Sequence, residues 1–156
     1  MFRRTVLTMF VTLAASSAVP AHAQVTFTHV YFNPPGKDDG SNKSLNKELV
    51  VLVNDGSKAR RLRGWTIVDK GGDHRYRIPR IKLGPGDTMR LRTGSGKDYG
   101  VTGCNGACHT QHVLHWGLDE YVWDNAGDAA RLKDRRGRLV DRCRYGEKAS
   151  SPKECD

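Results

Sequence analysis

The stretch CNGACHTQHVLHW, which begins at Cys104, has two cysteines and three histidines, residue types that bind metal ions. Thiolates and imidazoles are the ligands that zinc prefers in structural and catalytic sites. In a helix, Cys108, His112 and His115 would lie on one face, because they are spaced four and seven residues apart. A metal held there would make the protein a small metal-dependent hydrolase that acts on phosphoesters.

Three features of the sequence argue against this metal site, and one of them is a predicted export of the protein, which would expose both thiols to oxidation. The run from His112 to Trp116 is strand-like, and the ligand spacing differs from standard zinc patterns. A nucleophilic triad is not indicated either, because the chain has no G-x-S-x-G motif and no serine is placed beside a histidine. We therefore expect no metal, no cofactor and no enzyme activity, and we keep a hydrolase built around the loop 104–115 as the alternative hypothesis.

The first 23 residues have the features of a secretory signal peptide. A positively charged start, MFRR, precedes about fifteen apolar residues, and AHA comes directly before Gln24. The apolar segment is too short to span a membrane, and nothing later in the chain is apolar enough, so we expect no integral membrane association. The sequence predicts removal of residues 1–23 and an extracellular, secreted single domain over residues 24–156.

All four cysteines, Cys104, Cys108, Cys143 and Cys155, lie in the predicted exported part. In an oxidising compartment an even number of cysteines predicts disulfides. Asn-Gly-Ala separates the first two cysteines, and such a tight turn can bring them within bridging distance, while the tail can fold back to Cys143. The four cysteines permit three pairings, of which we favour the two local ones.

The chain is basic, with a formal net charge of +9 that falls to +7 when Arg3 and Arg4 leave with the signal peptide. A basic balance favours anionic partners such as nucleic acid or cell-wall polyanions. Four basic pairs have i, i+2 spacing: Arg75 and Arg77, Arg90 and Arg92, Arg131 and Lys133, and Arg142 and Arg144.

Residues at i and i+2 of a strand project from the same face, so neighbouring strands would merge these pairs into one cationic surface. Such a surface binds phosphate-rich polymers through release of counterions. The competing interpretation is a solvated face whose charges are partly neutralised by nearby acidic residues, which are Asp69, Asp73, Asp134 and Asp141.

Short runs with period-2 alternation, separated by glycine, proline and Asn/Asp turns, predict an all-β protein. The clearest strands are VTFTHVYF from Val25, in which the apolar phase switches near Thr28 or His29 as at a bulge, and the apolar run from Glu48 to Asn54. We also expect the run YVWDN (121–125) to be extended, and Asp134 to Gly137 to form a hairpin turn. Residues 94–111 are rich in glycine and have no period, so we expect a long loop there.

Five segments together resemble the lamin tail domain family: NPPGKDDGSN (33–42), KELVVLVNDG (47–56), LRGWTIVD (62–69), LGPGDTMRLRTG (83–94) and VWDNAGDAARLKDRRGRLVDRCRY (122–145). The match runs in order over most of the predicted mature chain. The resemblance implies an immunoglobulin-like β-sandwich without a catalytic site, used for binding or attachment. In animals such domains contact nucleic acid and protein partners.

The sequence thus predicts an immunoglobulin-like β-sandwich of about eight or nine strands. The predicted function is that of a secreted, non-enzymatic interaction module that binds an anionic polymer through a basic sheet face. The alternatives are the hydrolase described above and a purely structural protein of the cell envelope.

Overall fold

A computed structural model describes residues 24–155, so the predicted signal peptide, residues 1–23, lies outside the described residues. The elements are, in order, β1 (Val25–Tyr31), α1 (Asn42–Leu45), β2 (Leu49–Asn54), β3 (Arg60–Arg61), β4 (Thr66–Val68), β5 (Arg75–Arg77), β6 (Lys82–Leu83), β7 (Thr88–Arg92), β8 (Tyr99–Asn105), β9 (Ala107–His115), β10 (Ala129–Lys133), β11 (Leu139–Arg144) and β12 (Lys153–Glu154). No helix in this part of the chain is long and apolar enough to cross a membrane.

Two large sheets pack face to face. One has six strands in the order β12-β1-β2-β7-β9-β8, and the other has four in the order β11-β10-β4-β5, while β3 and β6 form a separate pair. Neighbouring strands are antiparallel except for β7 and β9. The predicted all-β, immunoglobulin-like sandwich is confirmed. The prediction of about eight or nine strands agrees with the nine strands of the described residues that are longer than two residues.

The core lies between the two large sheets, because alternate residues of each strand point inward. Val50, Leu52 and Met89 come from the six-stranded sheet, and Ile67 and Leu132 from the four-stranded sheet, all with no exposed surface. β2 is apolar on both faces, as the sequence predicts for a strand in the middle of a covered sheet.

The two sheets are also joined at one edge of the sandwich. The register of β1 shifts between Phe27 and His29, at the predicted bulge, and the Phe27 N–H donates a hydrogen bond of 2.7 Å to Asp141 of β11. A disulfide connects Cys143 of β11 with Cys155, which follows β12. Because β11 and β12 belong to different sheets, both contacts close the same edge.

The prediction of a long loop at residues 94–111 is wrong for most of these residues. Tyr99–Asn105 and Ala107–His115 form a regular antiparallel hairpin, with Gly106 at the turn and φ of 81°. Every residue of β8 is exposed. β8 and the first residues of β9 lie outside the core, so neither face of this part of the hairpin requires the apolar alternation by which strands are recognised, and only the end of β9 reaches the core, at Leu114.

The segment YVWDN (121–125) is likewise not a strand. Its buried backbone groups are instead satisfied by a side chain: the N–H groups of Val122 and Trp123 donate to the Glu48 carboxylate, at 2.8 and 3.3 Å. Trp123 is buried between the sheets, as its size favours. The apolar residues of this segment pack in the core, but its backbone does not pair with a neighbouring strand.

Candidate functional site

Three of the four basic pairs lie on the outer face of the four-stranded sheet. In β10 the alternate residues Ala130 and Leu132 are in the core, so Arg131 and Lys133 point outward. The same alternation in β11, and in β5, directs four more basic side chains to the same face. We call this set the basic face: Arg75, Arg77, Arg131, Lys133, Arg142 and Arg144.

The strand register brings the basic residues into a row across the sheet. Arg142 lies opposite Arg131, which lies opposite Val68 of β4, which in turn lies opposite Arg75. Adjacent strands are about 4.8 Å apart, so this row spans about 14 Å. Arg77 and Lys133 flank Thr66 in the same way, and a second row of positive charge runs beside the first.

Arg90 and Arg92 are not part of this face. They belong to β7, which pairs with β2 and β9 in the six-stranded sheet. Both are half-buried, and Nη1 of Arg92 donates to the Asn46 carbonyl oxygen at 3.2 Å. The expectation that all four pairs merge into one surface therefore holds for three pairs only. The sequence shows the alternation within each strand, but it does not show which sheet a strand joins.

The acidic residues near the basic face have other partners. Asp69 accepts hydrogen bonds from the backbone N–H groups of Gly72 and His74, and Asp134 forms an ion pair with Arg138 at 2.7 Å. Asp141 accepts the backbone hydrogen bond from β1. Among residues 24–155, no carboxylate forms an ion pair with any of the six basic side chains.

One end of the basic face contains a cavity of about 220 Å³. It is lined by Lys70, Asp128, Ala129, Arg131, Arg142, Arg144 and Tyr145. Ala129 lies opposite Arg144 and has only a methyl side chain, which leaves room between longer neighbours. Four cations and one carboxylate therefore surround a space that is open to solvent.

Two residues beside this cavity, Asp128 and Tyr145, have polar groups that are buried in the protein. Oδ1 of Asp128 accepts from the backbone N–H groups of Lys70 and Ala129, at 2.9 and 2.6 Å. The buried Tyr145 hydroxyl has no hydrogen-bond partner among the described residues. Burial raises the pKa of Tyr145, so its hydroxyl keeps its proton and remains a donor. The Tyr145 side chain lies in the core, stacked on Phe32, so its hydroxyl is not exposed to the cavity, which offers an anion four positive charges.

Cys104 forms a disulfide with Cys108, and a second disulfide joins Cys143 to Cys155. These are the two local pairings that the sequence favours. A disulfide sulfur is not a thiolate, so neither cysteine of the hairpin has the protonation state in which cysteine binds zinc.

The histidines of this stretch lie on a strand and not on a helix. Nδ1 of His109 is 3.2 Å from the Pro85 carbonyl oxygen, and Nδ1 of His115 is 3.3 Å from Oδ1 of Asp98. The helical face that the zinc hypothesis requires does not form. Within residues 24–155, no three His, Cys, Asp or Glu side chains are grouped closely enough to hold a metal.

Glu48 is a buried carboxylate whose role the sequence pattern does not reveal. Oε1 of Glu48 accepts from the Thr93 hydroxyl at 2.7 Å, in addition to the backbone donors already described. Burial raises the pKa of Glu48 to about 7, although these hydrogen bonds act in the opposite direction. The only signal in the sequence is a charged residue directly before an apolar strand. Glu48 connects β2 to the segment that contains Trp123, which is a structural role.

His74 lies between two carboxylates at the end of the four-stranded sheet. Its Nδ1 is 3.4 Å from Asp69 and its Nε2 is 3.1 Å from Glu120. Burial lowers the pKa of His74, but the hydrogen bonds to Glu120 and Asp69 outweigh it, so the pKa is raised. The imidazole connects the turn after β4 to the segment after β9 and leaves no ring nitrogen free.

The family model of the Lamin Tail Domain matches residues 18–147 of the chain. A comparison with curated proteins found no significant match. The family match covers most of the chain and includes every strand of the two large sheets except β12, together with the segments that suggested the resemblance. The chain therefore belongs to the lamin tail domain family.

Proposed function

We propose that this protein is an exported, non-enzymatic binding module whose basic face holds a polyanionic polymer, such as nucleic acid or a cell-wall polyanion. One observation carries the proposal: six basic side chains share the outer face of one sheet, and none is paired with a carboxylate among the described residues. An anionic polymer supplies the missing counter-charge over the whole row.

The expected binding mode is electrostatic. Each phosphate neutralised by a lysine or arginine releases a condensed counterion, so affinity falls steeply with salt concentration. The face is the outer surface of a β-sheet, with Val68 and Thr66 of β4 between the basic side chains, and it presents no helix to a groove. We expect contacts to the polymer backbone, with little preference for base sequence.

Several observations agree with an exported binding module. Lamin tail domains are immunoglobulin-like, and such a sandwich is a rigid support for a binding surface. Both disulfides are compatible with an oxidising compartment. The signal peptide and the location outside the cell remain part of the proposal.

Fluorescence anisotropy with a labelled DNA duplex tests the proposal. The protein without residues 1–23 is titrated at several NaCl concentrations, and unlabelled poly(glycerol phosphate) is used as a competitor. We expect competition by both polymers and a plot of log affinity against log salt with a slope of about −5, the value for six neutralised phosphates. Affinity that does not change with salt would contradict the electrostatic mode.

A further inference from the structure

The hairpin that carries Arg75 and Arg77 continues beyond the four-stranded sheet. Its two chain segments separate from that sheet and pair again as β3 and β6, where Arg61 lies opposite Lys82. Between the two ladders, the Leu62 N–H donates to the Ile81 oxygen at 2.9 Å, and a second backbone hydrogen bond of 3.0 Å joins residues 64 and 78. The hairpin is therefore continuous but irregular at this point.

The irregularity is a bulge that contains two arginines. Between the two connecting hydrogen bonds, one segment has a single residue, Arg63, whereas the other has Pro79 and Arg80. Proline has no backbone N–H to contribute to a ladder, which favours a bulge here. A bulge redirects side chains and bends the strand. The residues around this bulge line a concave surface.

That concave surface is a cavity of about 450 Å³, which we call the hairpin pocket. Its lining consists of Arg61, Arg63, Arg80, Ile81 and Lys82. The four basic residues are exposed, and none of them forms an ion pair within the described part of the chain. The lining contains no acidic residue, so the positive charges in the pocket are not compensated.

We propose that the hairpin pocket binds the phosphate group of an organic phosphate ester. Three guanidinium groups are planar donors whose geometry matches phosphate oxygens in pairs, and Lys82 adds a point charge. The volume is within the range of small-molecule sites and exceeds what a phosphate alone requires. Ile81, which is half-buried, offers apolar contact to the organic part of the ligand.

The proposed phosphate site extends the proposed function. It rests on that function in one point only, which is that the hairpin pocket is continuous with the basic face. Nη2 of Arg77 lies 3.6 Å from the position that a Cβ atom would occupy at Gly64, directly after Arg63 in sequence. A polymer on the basic face can therefore place a terminal phosphate in the pocket. A free phosphate ester can enter the same pocket without a polymer.

Isothermal titration with glycerol 3-phosphate at constant ionic strength tests the site. We expect saturable binding of one ligand per chain. In the double variant Arg63→Gln/Arg80→Gln the affinity should fall at least about tenfold, which is a loss of about 1.4 kcal/mol or more in binding free energy. Arg60→Gln is the matched control, because Arg60 is the neighbour of Arg61 on the strand and its side chain points to the opposite face. Equal urea-unfolding midpoints would establish that all variants are folded.

Non-saturable binding, or equal affinity in wild type and in the double variant, would overturn the pocket. The polymer experiment is separate: Arg131→Gln/Arg142→Gln should weaken binding of a DNA duplex and leave glycerol 3-phosphate binding unchanged. If the duplex does not bind while the ester does, the proposed function fails and the pocket stands. The reverse result rejects the pocket alone.

The source of the phosphate is distinguished with oligonucleotides. A 5′-phosphorylated strand that binds more tightly than its 5′-hydroxyl counterpart, with the difference lost in Arg63→Gln/Arg80→Gln, supports a polymer end as the ligand. Equal binding of the two strands, together with saturable binding of glycerol 3-phosphate, supports a free ester.

Discussion

Arg131 of β10 and Arg142 of β11 lie directly opposite each other on the outer face of the four-stranded sheet. Like charges in opposing positions of an antiparallel pair destabilise it by about 0.2 to 1 kcal/mol. No carboxylate among the described residues pairs with either arginine. The pair therefore costs folding stability, and an anionic partner would remove that cost.

Replacing Arg142 by Gln should stabilise the free protein by up to about 1 kcal/mol at low ionic strength. The gain arises because the repulsion from Arg131 disappears, and it should shrink as salt screens the charges. Urea unfolding in about 10 mM and about 500 mM NaCl measures both effects.

Arg144→Gln is the matched control for this prediction. Arg144 is on the same strand and the same face, but it lies opposite Ala129 and therefore has no opposing charge. Its removal should change the free energy of unfolding less than the removal of Arg142. An equal gain in the two variants would show that net charge, and not the opposed pair, determines the effect.

The two disulfides should differ in their contribution to stability. Cys143 and Cys155 are 12 residues apart and join the edges of two sheets, whereas Cys104 and Cys108 are four apart in an exposed hairpin. Because a longer closed loop restricts the unfolded chain more, Cys143→Ala/Cys155→Ala should cost about 3 kcal/mol, and Cys104→Ala/Cys108→Ala about 2 or less. Urea unfolding of both double variants provides the comparison.

Each double variant serves as the control for the other, because both remove two sulfurs and one cross-link. A larger loss for the hairpin disulfide would contradict the view that it shapes the hairpin more than it stabilises the domain. Amide exchange should increase near β12 when Cys155 is released, and near the hairpin turn when Cys104 is released.

Glu48 should make the protein less stable as the pH rises from about 4.5 to about 7. Its pKa is 4.5 before perturbation and about 7 in the folded protein, so the folded state binds more protons in this window. Stability falls with pH wherever the native state holds the extra proton. The favourable contribution is therefore complete below about pH 4.5, and it is lost once the pH passes about 7.

Glu48→Gln removes this titration while keeping one carbonyl oxygen as an acceptor. The free energy of unfolding of wild type, minus that of the variant, should decrease between about pH 5 and pH 7 and stay constant above about pH 8. The slope is the measured quantity, because the glutamine NH₂ changes the hydrogen bond from Trp123 at every pH. A difference that is independent of pH would contradict a raised pKa for Glu48.

Features with a local cause could be predicted from the sequence. The phase switch in β1 predicts the bulge beside Phe27, and the turn ending at Gly137 predicts the β10–β11 hairpin, because both depend on neighbouring residues. The disulfide pairing also follows from proximity along the chain. Both predicted pairings are present in the structure.

Features that depend on distant parts of the chain could not be predicted. The assignment of β7 to the six-stranded sheet separates Arg90 and Arg92 from the other basic residues, and alternation within β7 is the same in either sheet. The hydrogen bonds from Val122 and Trp123 to Glu48 cross more than 70 residues. The hairpin pocket likewise arises from a bulge between segments that pair only in the folded chain.

The assignment of polyanion binding to the basic face is tested by comparing two sets of variants for binding to a labelled DNA duplex. Arg75→Gln/Arg131→Gln/Arg142→Gln removes one row of the basic face, and Arg90→Gln/Arg92→Gln removes arginines from the other sheet. Folding of both variants is verified by their urea-unfolding midpoints. If the second is unstable, Lys37→Gln/Lys43→Gln replaces it, because both lysines are exposed and lie in or just before α1, not on the four-stranded sheet.

We expect the triple variant to lose affinity at least about tenfold and its salt slope to become shallower by about one for each residue removed. The control on the other sheet should keep the wild-type salt slope and nearly the wild-type affinity. Equal losses in both sets, or a triple variant that binds as wild type does, would contradict the assignment of polyanion binding to the basic face.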